Sequence, residues 1–345
     1  MPSSPDKIPT EMRAWRWSGC GTPTQVLKLE TNVPVLPPKS KEVLLKVHAT
    51  SLNPVDSKAM EDNIVNKLIK RPHTPGVDVV GTVVSVGSHA SKFKIGDKVF
   101  GYLQMMMDGG LAEYCTSDET CLVKAPENLT DTELAGLPLV SVTAWQGLVQ
   151  RGAIKQSMRV LILGGSGGVG TVSIQLAKHF GAYVICTCSG RNEELVRSLG
   201  ADQVIDYTIA DVADVLKDDL VDLVFDCVGG VEAYEEATRI LKPSGSFITI
   251  VGDEHKIGGY TWLLRNGARL VSRKAWSFIG HPNYIMFSGS TDEAQLEEVR
   301  KLIAEGALKP VVDSVFSFDQ SLEAFERQLS GRCRGKVIVE LDQSQ

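Results

Sequence analysis

Three glycines, Gly165, Gly167 and Gly170, stand in the stretch RVLILGGSGGVG (159–170) with the spacing G-x-G-x-x-G. A mostly apolar run, Arg159–Leu163, precedes them. A helical pattern follows, with Val169, Val172, Leu176, Ala177 and Phe180 on one stripe. In that strand–turn–helix setting each glycine has a task. Gly165 permits a tight turn, Gly167 lets the backbone approach a pyrophosphate, and Gly170 lets helix and strand pack closely. Together with Ser166, Gly168 and Val169, the turn opens a helix N-terminus whose free N–H groups and positive dipole end suit phosphates. The chemistry expected of this stretch is dinucleotide binding.

The next strand indicates which dinucleotide. Tyr183–Thr187 runs into Cys188-Ser189-Gly190-Arg191-Asn192, with no carboxylate at its tip to hold a ribose 2′-hydroxyl. Ser189 offers a hydrogen bond, and Arg191 offers a planar fork that matches a 2′-phosphate. Tyr207, at the end of the following strand, is within reach of the same group. The expected cofactor is NADP(H). The competing reading makes Arg191 a solvated loop charge, and the nearby Glu193 and Glu194 weigh against a phosphate.

The elements that position these residues fall into two patterns. Up to about residue 135 the chain shows short Val- and Gly-rich strands, including 43–49, 77–87 and 95–101, separated by Gly and Pro. From about residue 136 strands alternate with helices: 159–163, 169–180, 183–187, 193–199, 203–207, 223–227, 232–241 and 246–251. That rhythm predicts a doubly wound parallel sheet of Rossmann type. Further helices are expected at 293–305 and 322–329, before an alternating strand at 336–341. Trp145, Trp276, Phe278 and Tyr284 read as core or pocket-lining residues.

Composition is compatible with two domains and a sizeable core: 345 residues, 43% hydrophobic and 23% charged. A net charge of -6 argues against non-specific binding to nucleic acid or anionic membranes. The seven cysteines form no CxxC pair and read as free thiols of a reducing compartment. The first twelve residues have no apolar run, and no uncharged stretch is long enough to span a membrane. A cytoplasmic location is the expectation.

Several segments together resemble the medium-chain dehydrogenase/reductase superfamily, in its zinc-free, quinone-oxidoreductase-like branch. They include SLNPVDSK (51–58), TPGVDVVGTVVSVG (74–87), GGLAEY (109–114), LPLVSVTAWQGL (137–148), GGSGGVGTVSIQLAKHFGA (164–182), VFDCVGG (224–230) and RGKVIVEL (334–341). The nearest likeness is to the reticulon-4-interacting-like and enone/enoyl reductase group. The resemblance implies an α/β protein with a GroES-like β-rich catalytic domain, residues 1–135 and 311–345, and a Rossmann NADP(H)-binding domain, residues 136–310. It also implies Thr143 and Val228 near the nicotinamide, Lys336 near the cofactor, and a homodimer.

Zinc-dependent relatives carry a Cys where SLNPVDSK stands and a His-Glu pair where Val77-Asp78 follows Pro-Gly. Only Asp78 remains of ligand type, so no metal is expected. Without a Lewis acid, a small-molecule acceptor that already delocalises charge, an α,β-unsaturated carbonyl or a quinone, is the expected partner. The candidate catalytic residues are Asn53, Asp56 and Lys58, expected on one loop at the cleft. Asn53 is a candidate amide donor to substrate carbonyl or ribose, Lys58 an enolate stabiliser or proton donor, and Asp56 a partner or proton relay for Lys58. The alternative is an Asp56–Lys58 ion pair beside an Asn53-Pro54 turn. Met105, Met106 and Met107 are candidates for an adaptable apolar wall. Two other functions share the same sequence features: a non-catalytic NADPH-binding interaction protein, and an enoyl reductase acting in trans on a carrier-bound chain.

Overall fold

A computed structural model describes residues 8–256, 258, 260–277 and 282–341. Phe278, the side chain of Trp276 and the N-terminal residues 1–7, each of which entered the sequence reading, lie outside the described residues.

The β-rich part is built from β1 (Glu11–Trp17), β2 (Leu27–Pro34), β3 (Glu42–Leu52), β4 (Asp78–Val86), β5 (Lys98–Tyr102), β6 (Tyr114–Asp118) and β7 (Leu122–Lys124). The alternating part supplies β8 (Arg159–Leu163), β9 (Tyr183–Cys188), β10 (Gln203–Asp206), β11 (Val221–Asp226), β12 (Leu241–Thr249) and β13 (Asn283–Met286). Two strands close the chain, β14 (Val312–Ser317) and β15 (Lys336–Glu340).

Strands β8 to β13 form a six-stranded parallel sheet in the order β10-β9-β8-β11-β12-β13. Val160, Leu161 and Ile162 of β8 are wholly buried, as expected of a strand covered on both faces. The chain winds outward in one direction from β8 and in the other from β11. The crevice between the C-terminal ends of these two strands is therefore the switch point at which such sheets bind ligands. Gly181 and Gly200, at φ +75° and +108°, terminate the helices before β9 and β10 in the left-handed conformation that favours glycine.

The second sheet runs β14-β15-β3-β4-β5-β7, with β6 also paired to β3. β15 lies antiparallel to β3, pairing Val337 with Leu52 and Glu340 with Ala49. The last strand of the chain is thus woven into the sheet that the first part begins. Its N-terminal residue, Lys336, lies against the end of β3 where SLNPVDSK starts. One apolar cluster joins the two sheets: Val80, Phe100, Val123 and Ile338 belong to the same buried group as Val160, Ile162 and Phe225.

Asn53, Asp56 and Lys58 do not lie on a loop. Residues 54–60 form a helix, Pro54–Met60, with Asn53 at its N-cap. The signal was present in the sequence: Asn at N-cap, Pro at N1 and a carboxylate at N3 are a helix start.

Candidate functional site

The turn after β8 is held against the end of β9. Gly165 N–H donates to Thr187 O at 2.8 Å and Gly164 N–H to Thr187 Oγ1 at 3.0 Å, which ties the turn to the end of β9. A Cβ on Gly165 would stand 2.9 Å from Cys186 Cβ, and one on Gly170 only 2.2 Å from the Gly164 carbonyl oxygen. Packing therefore requires both to be glycine. Gly167 differs, because a Cβ there would meet nothing closer than 3.5 Å. Its missing side chain leaves the backbone open rather than relieving a clash. Gly167 is also the N-cap of helix Gly168–His179, and no side chain caps that end. Uncapped first-turn N–H groups at a switch point fit a pyrophosphate. Across the crevice, Val228 follows β11 and is half exposed. Its N–H and that of Gly229 both donate to buried Asp226, at 2.9 Å each.

The loop after β9 carries Ser189 and Arg191, and Asn192 fastens it to the glycine turn. Asn192 Nδ2 donates to Ser166 Oγ at 3.0 Å and to Ser189 Oγ at 3.4 Å. Sequence reasoning passed over Asn192, which stood in the quoted CSGRN stretch. Arg191 is exposed, and Tyr207 is 60% exposed just beyond β10. Glu193, which weighed against a phosphate, is held by Arg197 at 2.8 Å on its own helix.

A buried polar cluster lies where the two parts meet. Lys336, 5% exposed, donates its ammonium to the Asn53 amide oxygen, to Leu52 O at 3.0 Å and to Asp78 Oδ2 at 3.4 Å. Asp78 Oδ2 also accepts from Ser51 Oγ at 2.6 Å and Asn53 Nδ2 at 2.8 Å. Asp78 Oδ1 accepts the Leu139 N–H at 2.7 Å, anchoring the first turn of helix Pro138–Trp145, which carries buried Thr143. Burial pulls the Lys336 ammonium below its usual value, while Asp78 and Asp56 oppose that pull. Gly335, next to Lys336, donates its N–H to Ser166 O at 2.9 Å. The 335–336 segment therefore touches both the glycine turn and the Asn53 helix.

This arrangement corrects three expectations. The Asn53 amide is not available as a substrate donor, because its N–H bonds go to Asp78 and the Ser51 carbonyl and its oxygen to Lys336. Asp56 does not hold Lys58: its oxygens accept the N–H groups of Asn53 and Gly76, each at 2.8 Å. Residues two apart on a helix point to different sides, so the Asp56–Lys58 ion pair does not form. The acidic group nearest Lys58 in effect is Glu61, and burial lowers the Lys58 pKa. Asp56 is 4% exposed, and burial raises its carboxyl to about 6 against the lowering effect of its two hydrogen bonds.

Asp56 also lines a hollow in the β-rich part, together with Trp17, His73, Val77, Met105 and Met107. Met105 and Met107 thus form an apolar wall, while Met106 is half exposed. Lys58 is not among the lining residues. His73 packs edge-on against Trp17 at 5.7 Å, and burial lowers its pKa. Among the described residues no group of three or more His, Cys, Asp or Glu side chains is placed to hold a metal. None of the described helices is long and apolar enough to cross a membrane.

Comparison with known proteins identifies the family. Residues 39–127 match the model of the alcohol dehydrogenase GroES-like domain, and residues 199–339 that of the zinc-binding dehydrogenase family. The chain is 36% identical to a tomato (Solanum lycopersicum) 2-methylene-furan-3-one reductase, over 96% of this chain and 80% of that protein. It is 34% identical to the zebrafish (Danio rerio) mitochondrial NAD(P)H oxidoreductase RTN4IP1, over 88% and 84% of the two chains. Its structure superposes on the quinone oxidoreductase of Coxiella burnetii with a TM-score of 0.84 and 30% identity, covering 96% and 99%. The chain is an oxidoreductase of the medium-chain dehydrogenase/reductase family and belongs to its zinc-free, quinone-oxidoreductase-like branch.

Proposed function

We propose that this protein is an NADPH-dependent, zinc-independent reductase of α,β-unsaturated carbonyls or quinones. The observation that carries the proposal is the 335–336 segment. Its backbone is bonded to the glycine turn and its ammonium to Asn53, whose own N–H is bonded to the carboxyl of Asp56 in the hollow. A cofactor site and an apolar acceptor site are thereby joined through one stretch of chain. The relatives named for a methylene-furanone and for quinones support the acceptor class. NADPH is favoured by the strand tip without a carboxylate, by Arg191 and Tyr207 beside it, and by the engagement of Glu193 with Arg197.

Bound NADPH would supply the hydride. Gly165 to Gly170 and Ser166 would hold its pyrophosphate, Ser189, Arg191 and Tyr207 its 2′-phosphate end, and Thr143 and Val228 its nicotinamide end. Lys336 is a fixed buried cation that favours negative charge developing nearby. Asp56, with a carboxyl at about 6, is the proton donor in the hollow: its O–H proton goes to the reduced acceptor and is replaced from solvent. Met105, Met107 and Trp17 exclude water. Asn53 positions Lys336 and Asp56 and does not touch the acceptor. Lys58 has no role in this scheme.

The test is NADPH oxidation against a panel of enones, quinones and simple aldehydes, with and without a chelator, across pH. Chelator-insensitive turnover on enones or quinones is expected. Because Asp56 is protonated below about 6, the rate should fall as pH rises through that value, and Asp56→Asn should abolish this limb. Tight NADPH binding with no turnover on any acceptor would sink the proposal and favour a dinucleotide-binding interaction protein.

A further inference from the structure

We propose that Arg334, reaching across from the C-terminal segment of the β-rich part, joins Arg191 in gripping the 2′-phosphate of the cofactor, and is thereby a second cofactor-specificity residue. The inference rests on the NADPH reading above. Its first support is a contact between the two parts of the molecule. The Arg334 guanidinium donates from Nη2 to the backbone carbonyl of Arg191 at 3.1 Å, so one arginine head lies against the residue that carries the other. The neighbouring residue, Gly335, is bonded to Ser166 of the glycine turn. Arg334 is therefore held beside the cofactor cradle from two directions.

Charge supplies the second support. A guanidinium has five N–H donors, and this contact uses one side of the Arg334 head. Arg334 and Arg191 are both exposed, and neither is paired with a carboxylate among the described residues. Two nearby acids, Asp313 and Asp206, are already hydrogen-bonded. Asp313 accepts the Arg334 N–H but is clamped by Arg327 at 2.7 Å through both oxygens. Asp206 accepts from Gly190 N–H, Thr208 N–H and Thr208 Oγ1. Two exposed cations at one loop in a protein of net charge -6 form a site for a dianion.

The third support is an incomplete hydrogen bond. Asn192 is 5% exposed, and its Oδ1 is buried without a partner among the described residues. Both of its N–H contacts go to serines of this same pocket, Ser166 and Ser189. A buried acceptor left open in this way calls for a donor, such as a ribose hydroxyl beside the phosphate.

The experiment is calorimetric titration of the full chain with NADPH, NADH and 2′,5′-ADP, for the wild type, Arg334→Ala, Arg334→Lys, Arg191→Ala and the double alanine variant. Each protein's unfolding midpoint is checked without ligand. Arg334→Ala should weaken NADPH and 2′,5′-ADP by about ten- to a hundredfold and change NADH by less than about twofold. Arg334→Lys should recover part of the loss, and the two alanine effects should not add. If Arg191→Ala weakens 2′,5′-ADP while Arg334→Ala does not, the NADPH reading stands and the Arg334 assignment falls. An equal loss of NADH and NADPH in Arg334→Ala would also overturn it, because the residue would then serve the shared part of the cofactor. A wild type that binds NADH as tightly as NADPH and ignores 2′,5′-ADP would remove the NADPH reading and this inference together.

Discussion

At the scale of single residues, the site is organised by two buried charges of opposite sign, Lys336 and Asp78, and by Asp56 beside them. The Lys336 ammonium donates to the Asn53 amide oxygen and offsets the Asp78 carboxylate. Removing one member of a buried charged network leaves the others desolvated and unpaired. Lys336→Met should therefore destabilise the fold by about 3–5 kcal/mol, read from urea unfolding. A change under about 1 kcal/mol would mean that water reaches the cluster. Asp56 makes a separate prediction. Its folded pKa, about 6, lies above the ordinary 3.8, so between these values the native state binds more protons than the unfolded state. Stability contributed by this group then falls as pH rises through that window, and above it the charged carboxylate costs about 3 kcal/mol. Asn has no such titration. The stability difference between Asp56→Asn and wild type should shift toward the variant by about that amount from pH 4 to pH 7. A difference that stays flat would show that Asp56 does not titrate there.

The elements separate the glycines that packing requires from Gly167, which the proposed dinucleotide site would use. Gly170→Ala would put a methyl 2.2 Å from the Gly164 carbonyl, so helix Gly168–His179 must move away from β8. A loss of about 1–3 kcal/mol or more is expected, together with loss of dinucleotide binding. Gly167→Ala meets only ordinary contacts, and its φ of -80° suits any residue. It should leave the unfolding midpoint within about 2 °C while weakening NADPH binding at least about tenfold. Equal effects of the two substitutions on stability would break the distinction. These elements also show what sequence could convey. Arg159–Leu163 and the helix after it were legible because a strand buried on both faces and an amphipathic helix each leave a periodic apolar signal. Helix Pro54–Met60 was missed because seven residues are too few for that signal and Asn-Pro also starts turns. Gly165, Gly167 and Gly170 were recognisable from spacing, whereas the Lys336–Asn53–Asp78 cluster was not. Its members are 258 and 283 positions apart in the bonds that Lys336 makes, and no local pattern encodes a contact of that separation.

On the scale of the whole molecule, the six- and seven-stranded sheets share one apolar cluster. Val80, Phe100, Val123 and Ile338 from one sheet are packed in the same buried cluster as Val160, Ile162, Phe225 and Ile248 from the other. Polar contacts cross the same boundary, with Thr291 Oγ1 donating to Tyr102 O at 3.1 Å and Gly335 N–H to Ser166 O at 2.9 Å. Pulling either sheet away would expose apolar surface belonging to both, at a cost of roughly 25 cal/mol for each Å² uncovered. An interface built like a continuous core, unlike the polar contacts usual between loosely joined domains, leaves little room for one part to melt before the other. Scanning calorimetry should therefore show one transition, with calorimetric and van't Hoff enthalpies in agreement. Saturating NADPH should raise that transition as a unit, because a ligand held by the glycine turn stabilises whatever unfolds with it, by about 2.7 kcal/mol at a hundred times its dissociation constant. Two resolved transitions, only one of them raised by NADPH, would show that the shared cluster does not couple the sheets. The link from the glycine turn through Lys336 to the Asp56 hollow would then be a contact between bodies that move separately, and the hollow would lose its claim to be aligned by the same chain that holds the cofactor.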